Sequence, residues 1–486
     1  MRNQVTDPIR VVIACDTFAP DINGAARFAE RLAGGLVRNG HEVHIITPSN
    51  EEWFGSRVEV HDGASMTVHK LKSHRLRNHK TLRWPTPFGM RNTIRKVLLE
   101  QRPDALHIQS HLMVGRFALS AARGIKLRKI ATNHVMPENL MRYSLLPKWF
   151  HPLATKVLWT DAGRILRKMD ALTTPTRRAA DLLESAANVK GVLAISCGID
   201  ASKFANHTPT QNDKPVALFL GRLDDEKRIN ILLDAMSKLT KFSNLELRLV
   251  GDGGERERLT QQANVLGIAD RVKFLGHIND EQLPKAYEDC TVFVMPSIAE
   301  LQSIATMEAM ASGRPVIAAD AMALPHLVHD GDNGYLFPPD DSDALKERLE
   351  RILSADTMEL ARLSENSMHL IQSHDIAKTI KIFEDLYRGV GEEAPTTLDN
   401  DPGYMLPIGK LSNSLRRRVN DFRLDALSLR KRAEEASETA RDRFSDVAEE
   451  ARERLMEVRG EVREQLSEFR TEVTEAAKKL RRKRED

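Results

Sequence analysis

Apolar positions along this chain follow two alternating rhythms. Short unbroken apolar runs, of which RVVIAC at 10–15 is the first, read as strands buried on both faces. Stretches with apolar residues three and four apart, such as 27–39, read as amphipathic helices. The first strand is followed by the loop DTFAPDINGAA, the 27–39 helix and a second strand at 42–46. That strand–loop–helix–strand unit begins a doubly wound α/β domain. Further short strands at 105–108, 129–132 and 171–174 carry the alternation to about residue 199. After the polar stretch ASKFANHTPTQNDK a second cycle opens at Pro215, with strands VALFLG, LELRLVG, VKFLG and TVFVMPS separated by helices, two of them at 229–239 and 255–266. The predicted architecture is α/β, two Rossmann-like doubly wound parallel-sheet domains facing a cleft, at 1–200 and 201–388. A linker rich in Gly, Pro and acids follows at 389–409, then a helical extension at 410–486.

The extension has a rhythm of its own. Ala433, Phe444, Leu455, Leu466 and Ala477 recur every eleven residues, and so do Ala436, Val447, Val458, Phe469 and Leu480. A period of 3.67 residues per turn keeps such a stripe nearly straight along a helix about 70 Å long. The pattern fits a right-handed coiled coil, which would make a homo-oligomer, and equally an amphipathic helix lying on lipid.

Composition narrows the class. Net charge is only +3 over 486 residues, which speaks against nucleic acid as a partner. Three widely spaced cysteines, Cys15, Cys197 and Cys290, suggest reduced thiols in a cytoplasmic protein with no disulfide framework and no zinc site. No signal-peptide core precedes the first strand, and no apolar run reaches the ~20 residues of a membrane span. Membrane contact would then be peripheral, at the inner face. Residues 70–99 offer a candidate surface: they carry Lys70, Lys72, Arg75, Arg77, Lys80, Arg83, Arg91, Arg95 and Lys96 with no acid, interleaved with Leu71, Leu76, Leu82, Trp84, Phe88 and Met90. Each cation near an anionic bilayer contributes ~1 kcal/mol.

The stretch richest in chemistry is PSIAELQSIATMEAMASGRPVIAA at 296–319. Glu300 lies in a loop and Glu308 in the helix that follows (304–311), which Gly313 and Pro315 end before a short strand. A loop opening into a helix aims free N–H groups and the positive end of the helix dipole outward, a position suited to a diphosphate. Glu300 would face the group attached to that diphosphate, and Glu308 could reach hydroxyls on its other side.

This stretch resembles the double-glutamate motif of the retaining, family-4 glycosyltransferases of GT-B fold, which usually reads E-x-F-G-x-x-x-x-E. Here Gln302-Ser303 stands where the family has Phe-Gly, a variant similar to some lipid-directed members. The resemblance covers residues 8–390 and implies further assignments. Arg222 and Lys227, in GRLDDEKRINILLDAM after the strand VALFL, resemble the pair that clamps the donor diphosphate. Fixed cations there would stabilise the charge on the leaving diphosphate without a metal. Asn23-Gly24 resembles the glycine loop that lets backbone approach the diphosphate. GHINDEQL at 276–283 resembles the segment beside the nucleotide base, whose identity, uracil or guanine, is not legible. His134, after a strand, resembles a position near the donor sugar, with Glu138 a further candidate. In HIQSHLMVG, spacing does not choose between His107, Gln109 and His111 for the acceptor side, and a core role for His107 is an open alternative.

The implied function is transfer of a hexose, mannose or glucose, with retention, from a UDP- or GDP-linked sugar to a membrane lipid or glycolipid. The catalytic candidates are Glu300, His111, His134, Arg222 and Lys227. Gly24, Gln302, Ser303, Ile304 and Glu308 join Arg222 and Lys227 at the donor. The same chemistry on a soluble sugar, or a non-catalytic lipid-surface scaffold, are the alternatives. Asp330-Gly331-Asp332 and Asp399-Asn400-Asp401 match the letters of a metal-binding D-x-D, but the first reads as a turn and the second as linker, so no metal is expected.

Overall fold

The computed structural model describes residues 7–21, 23–75, 83–141, 147–204 and 214–390. The linker beyond Val390, the 410–486 extension with its repeat, and Asp399-Asn400-Asp401 lie outside the described residues, as do Leu76, Arg77, Lys80 and Leu82 of the basic stretch.

In the first domain the strands are β1 (Arg10–Ala14), β2 (Glu42–Pro48), β3 (Gly55–His61), β4 (Ala64–Leu71), the small pair β5 (Ser73–Arg75) and β6 (Arg83–Pro85), β7 (Ala105–Ile108), β8 (Arg128–Thr132), β9 (Ala171–Thr174) and β10 (Leu193–Ala194). Eight of them form one sheet in the order β10-β9-β8-β7-β1-β2-β4-β3. All neighbours are parallel except β3, which pairs antiparallel with β4. In the second domain β11 (Val216–Leu220), β12 (Glu246–Val250), β13 (Val272–Gly276), β14 (Val292–Met295), β15 (Val316–Ala319) and β16 (Gly334–Phe337) form a parallel sheet ordered β13-β12-β11-β14-β15-β16. Both orders reverse direction beside their first strand, between β1 and β7 and between β11 and β14. In open α/β sheets ligands bind at that reversal, outside the carboxyl ends of the strands.

The apolar runs are continuous because each strand is covered twice. Val12 and Ala14 of β1 pack on one side of the first sheet, and Val11 and Ile13 on the other. The second side is completed by the far end of the chain: Ile380, Phe383, Leu386 and Tyr387 of the Ile376–Arg388 helix belong to the first domain's core. Gly35 of the Gly24–Arg38 helix permits this approach, since a Cβ there would stand 2.0 Å from Ile380 Cδ1.

Two features depart from the sequence pattern. The β3–β4 hairpin was not anticipated, although its Asp62-Gly63 turn, with φ of 47° and 72°, is a strong hairpin signal. Val58 and Val60 of β3 are exposed, so the strand shows no buried apolar run. The 70–99 stretch, in turn, is not one basic face. Lys70 is buried at the end of β4 with its ammonium 3.7 Å from Glu59, and Leu71 and Met90 belong to the core. Arg91 donates to Ser120 Oγ (3.2 Å), and Arg95 to the carbonyls of Ala121 and Arg123 (2.7 and 2.9 Å).

Candidate active site

Loops at the carboxyl ends of five strands carry the residues singled out from the sequence. Gly24 follows β1, His111 follows β7, His134 follows β8, Arg222 and Lys227 follow β11, and Glu300 to Ser303 follow β14. Gly24 opens its helix behind Asn23, whose side chain caps the Ala26 amide. A Cβ on Gly24 would lie 4.0 Å from Ile304 Cδ1, and Ile304 packs against the cores of both domains. The glycine loop of the first domain thus meets the amino end of the Glu308 helix in the second.

That helix spans Ile304–Ala311, capped at its start by Ser303 Oγ and followed by Gly313 at φ 63°. The loop before it is pinned by the first domain. Thr176 Oγ1 donates to the Leu301 carbonyl (3.0 Å), the Cys197 amide donates to Gln302 Oε1 (2.7 Å), and Gln302 Nε2 reaches Ser196 Oγ (3.0 Å). The side chains of Gln302 and Ser303 are therefore engaged structurally. What they and Ile304 can offer a ligand is the backbone N–H at the helix start, where helix geometry leaves donors free.

Opposite this helix end stands the β11 loop. Lys227 Nζ bonds Glu300 Oε1, and the carboxylate is nearly buried. The Ile298 amide donates to the Glu226 carbonyl at 3.0 Å, which locks the two loops together. Arg222 is half-exposed and folds onto Asp224 and Glu226, the latter at 3.0 Å. Lys227, Glu300 and the amino end of the Ile304–Ala311 helix are thus brought together, with Arg222 on the same β11 loop as Lys227.

Comparison with known proteins gives this arrangement its family. The profile described as Glycosyltransferase Family 4 matches residues 22–203, and that described as Glycosyl transferases group 1 matches residues 200–369. The chain belongs to the family-4 glycosyltransferases. It is 28% identical over 341 residues to a GDP-mannose-dependent alpha-mannosyltransferase of Mycolicibacterium smegmatis, covering 68% of this chain and 85% of that one. It is also 28% identical over 391 residues to a phosphatidyl-myo-inositol mannosyltransferase of the same organism, covering 77% of this chain and 94% of the relative. The sucrose-phosphate synthase of Thermosynechococcus elongatus superposes with a TM-score of 0.67 at 21% identity, over 79% of this chain and 99% of that one, which establishes the GT-B fold.

In this glycosyltransferase Glu308 has two partners that sequence patterns did not reveal. Oε1 accepts from Arg31 Nη2 of the first domain (2.7 Å) and Oε2 from Tyr287 Oη (3.0 Å). One turn earlier on the same helix Arg27 forks onto Asp280, with Nη1 at 2.7 Å from Oδ2, and this bond holds the Asp280 carboxyl below its ordinary range. Asp280 belongs to the GHINDEQL segment. The one available signal was that Gly24, Arg27 and Arg31 fall on a single helix face.

The histidines separate by environment. His107 is a core residue, bonded to Tyr387 Oη and Thr132 Oγ1, both at 2.7 Å. His134 bonds Gln109 Oε1 through Nε2 (3.0 Å) and packs at a tilt of 51° against the ring of Phe28, one turn after Gly24. With an amide oxygen at Nε2, that nitrogen carries the proton and Nδ1 is left as an acceptor. His111 is buried beside Asn133, Arg116 and Asp161, and its Nδ1 has no partner among the described residues. Glu138 accepts from Trp159 Nε1 at 2.8 Å and so supports a helix. Asp330 and Asp332 serve as turn acceptors, for the Leu336 amide (2.8 Å) and Asn366 Nδ2 (2.7 Å).

Burial keeps these imidazoles neutral. His107 is pushed down to about 3, and His69, His111 and His134 to about 4, all by loss of hydration. Once unfolded they titrate near 6.5, so between pH 6.5 and about 4 the unfolded chain binds more protons and stability falls as the pH drops. The thermal midpoint should be level above pH 7 and about 10 °C or more lower at pH 5. A midpoint unchanged across that interval would show that folding does not hold these rings neutral.

Proposed function

We propose that the enzyme transfers mannose or glucose, with retention, from a GDP- or UDP-linked sugar to a membrane lipid or glycolipid. The observation that carries this reading is the meeting of Lys227 and Glu300 with Gly24 at the amino end of the Ile304–Ala311 helix. On donor arrival the diphosphate takes the helix amides, Arg222 and Lys227, and Glu300, released from Lys227, turns to the sugar hydroxyls. Glu308 accepts from the ribose. The bond from the anomeric carbon to the diphosphate breaks, and the acceptor oxygen bonds the same face. Its proton passes to the departing phosphate oxygen, so no base is needed on the far side. His134, neutral and with Nδ1 open, is suited to accept from a hydroxyl of the reacting sugar, and His111 to the acceptor side. Fixed cations supply the charge stabilisation, so turnover is expected to survive chelation of divalent metals.

Two observations support a lipid acceptor. One relative carries the name phosphatidyl-myo-inositol mannosyltransferase. The first domain also bears exposed aromatic side chains beside cations: Phe88 is 90% exposed and Phe54 55%, with Lys72 Nζ 5.7 Å above the Phe54 ring and Trp84 half-exposed on β6. Among the described residues no helix is long and apolar enough to cross a membrane. The exposed aromatic and basic side chains support peripheral binding to an anionic membrane, proposed here at its cytoplasmic face.

The test is turnover of GDP-mannose and UDP-glucose by the full chain, with and without vesicles carrying anionic lipid and a bacterial lipid extract. A glycolipid product with the donor's anomeric configuration is expected. Equal turnover onto soluble sugars without vesicles would overturn the lipid acceptor, and failure to consume either donor would overturn the whole reading. Replacing Trp84 and Phe88 by Ser should weaken vesicle binding about tenfold or more, through lost apolar burial. Nucleotide binding should be unchanged. Undiminished flotation would remove this patch from the membrane contact.

A further inference from the structure

The Gly24–Arg38 helix sends two arginines across the cleft, Arg27 to Asp280 and Arg31 to Glu308. The Arg31 pair is the buried one, with the two side chains 15% and 4% exposed. Arg31 uses Nη2 for Glu308, while its Nη1 is buried without a partner among the described residues. A buried guanidinium with an unused donor is costly unless something occupies that direction. Glu308 is held from both sides, by Arg31 on Oε1 and by Tyr287 on Oε2. Each carboxylate oxygen has a second lone pair, so the group can accept two further hydrogen bonds without losing either partner. A vicinal diol matches that capacity.

We propose that Arg31 is a positioning residue for the nucleotide: from the first domain it orients the Glu308 carboxylate for the ribose hydroxyls and offers Nη1 to the bound nucleotide. Ribose recognition then depends on both domains being in place, because half of the carboxylate's support comes from across the cleft. The inference rests on the reading above that Glu308 meets the ribose. Arg31 itself touches the acid and not the reacting atoms, so its loss should appear in donor KM and leave kcat nearly intact.

The experiment measures binding of GDP and UDP, and of their 2′-deoxy and 3′-deoxy forms, to the full chain and to Arg31→Met, Arg31→Lys, Glu308→Gln and the Arg31→Met/Glu308→Gln double variant. Donor KM and kcat are measured in parallel. For the nucleotide that binds wild type, loss of the relevant hydroxyl should cost about tenfold or more, the worth of a hydrogen bond to a charged acceptor. Arg31→Met should reduce that penalty to under about threefold and raise donor KM about tenfold, with Arg31→Lys intermediate. The double variant should discriminate no less and no more than Glu308→Gln alone, since both act through one carboxylate. Arg31→Lys keeps a cation beside the buried carboxylate, so it reports where Arg31→Met folds poorly: a full ribose penalty and unchanged donor KM in Arg31→Lys would overturn the role of Arg31. A full ribose penalty in Arg31→Met alongside a lost one in Glu308→Gln would overturn the role of Arg31 and leave Glu308 standing. A full penalty in Glu308→Gln would instead overturn the ribose reading itself.

Discussion

Lys227→Ala is expected to lower turnover by a factor on the order of 10²–10³ at saturating donor. Lys227 bonds Glu300 at the point where the Gly24 loop meets the Glu308 helix, so the variant acts twice. It removes a fixed cation from the place where the leaving diphosphate gains charge, and it strands Glu300, only 9% exposed, without its partner. The two effects separate in the Lys227→Ala/Glu300→Gln double variant. There the stranded carboxylate is gone, and thermal stability should recover while turnover does not. Arg222→Ala should lose turnover to a similar order and lower the thermal midpoint as well, because Asp224 and Glu226, both buried, lose the cation they bond. Rates come from nucleotide release with the thermal midpoint recorded beside them. Near-normal turnover in both single variants would remove the diphosphate from this crevice.

Gly251→Ala is expected to destabilise the second domain by more than about 3 kcal/mol and to abolish nucleotide binding with it. Gly251 has φ of 127°, and a Cβ there would stand 1.9 Å from the Gly221 carbonyl oxygen. The obstacle is backbone and cannot rotate away. The turn it begins braces the loop that carries Arg222: the Gly221 amide donates to the Val250 carbonyl (3.0 Å), the Leu223 amide to that of Asp252 (3.1 Å), and the Glu255 amide to that of Leu223 (2.9 Å). Gly254, three residues later, has open space around its Cβ direction, so Gly254→Ala serves as the comparison and should be nearly silent. Equal thermal midpoints for the two variants would show that the turn does not hold the 221–223 loop.

These two cases also show how far residue patterns reach. Nothing in the four letters GDGG at 251–254 says that the Gly221 carbonyl lies against the first of them. The Ile304–Ala311 helix, by contrast, was legible to its end residues, because its start, its Gly313 stop and the following strand are all local signals. The basic stretch at 70–99 misled for the opposite reason. Charge composition suggested one surface, but β4 runs between β2 and β3, and that position turns Lys70 inward to Glu59. His107 and His111 stand four residues apart in one loop-end segment. Only the return of the Ile376–Arg388 helix, which sets Tyr387 against His107, makes the first a core residue.

What the amino-acid sequence determined by itself is whatever depends on neighbours along the chain: the two cycles of buried strand and amphipathic helix, the loops at strand ends, and the acid–helix–glycine series around Glu300 and Glu308. Tertiary structure alone decided which side chains from separate elements form ion pairs. Arg31 reaches Glu308 across 277 positions and Lys227 reaches Glu300 across 73. The reason is physical: hydrophobic periodicity reports which face of an element is buried, whereas an ion pair between elements depends on how strands are ordered in a sheet and how sheets are set against each other, and no local spacing encodes that distance.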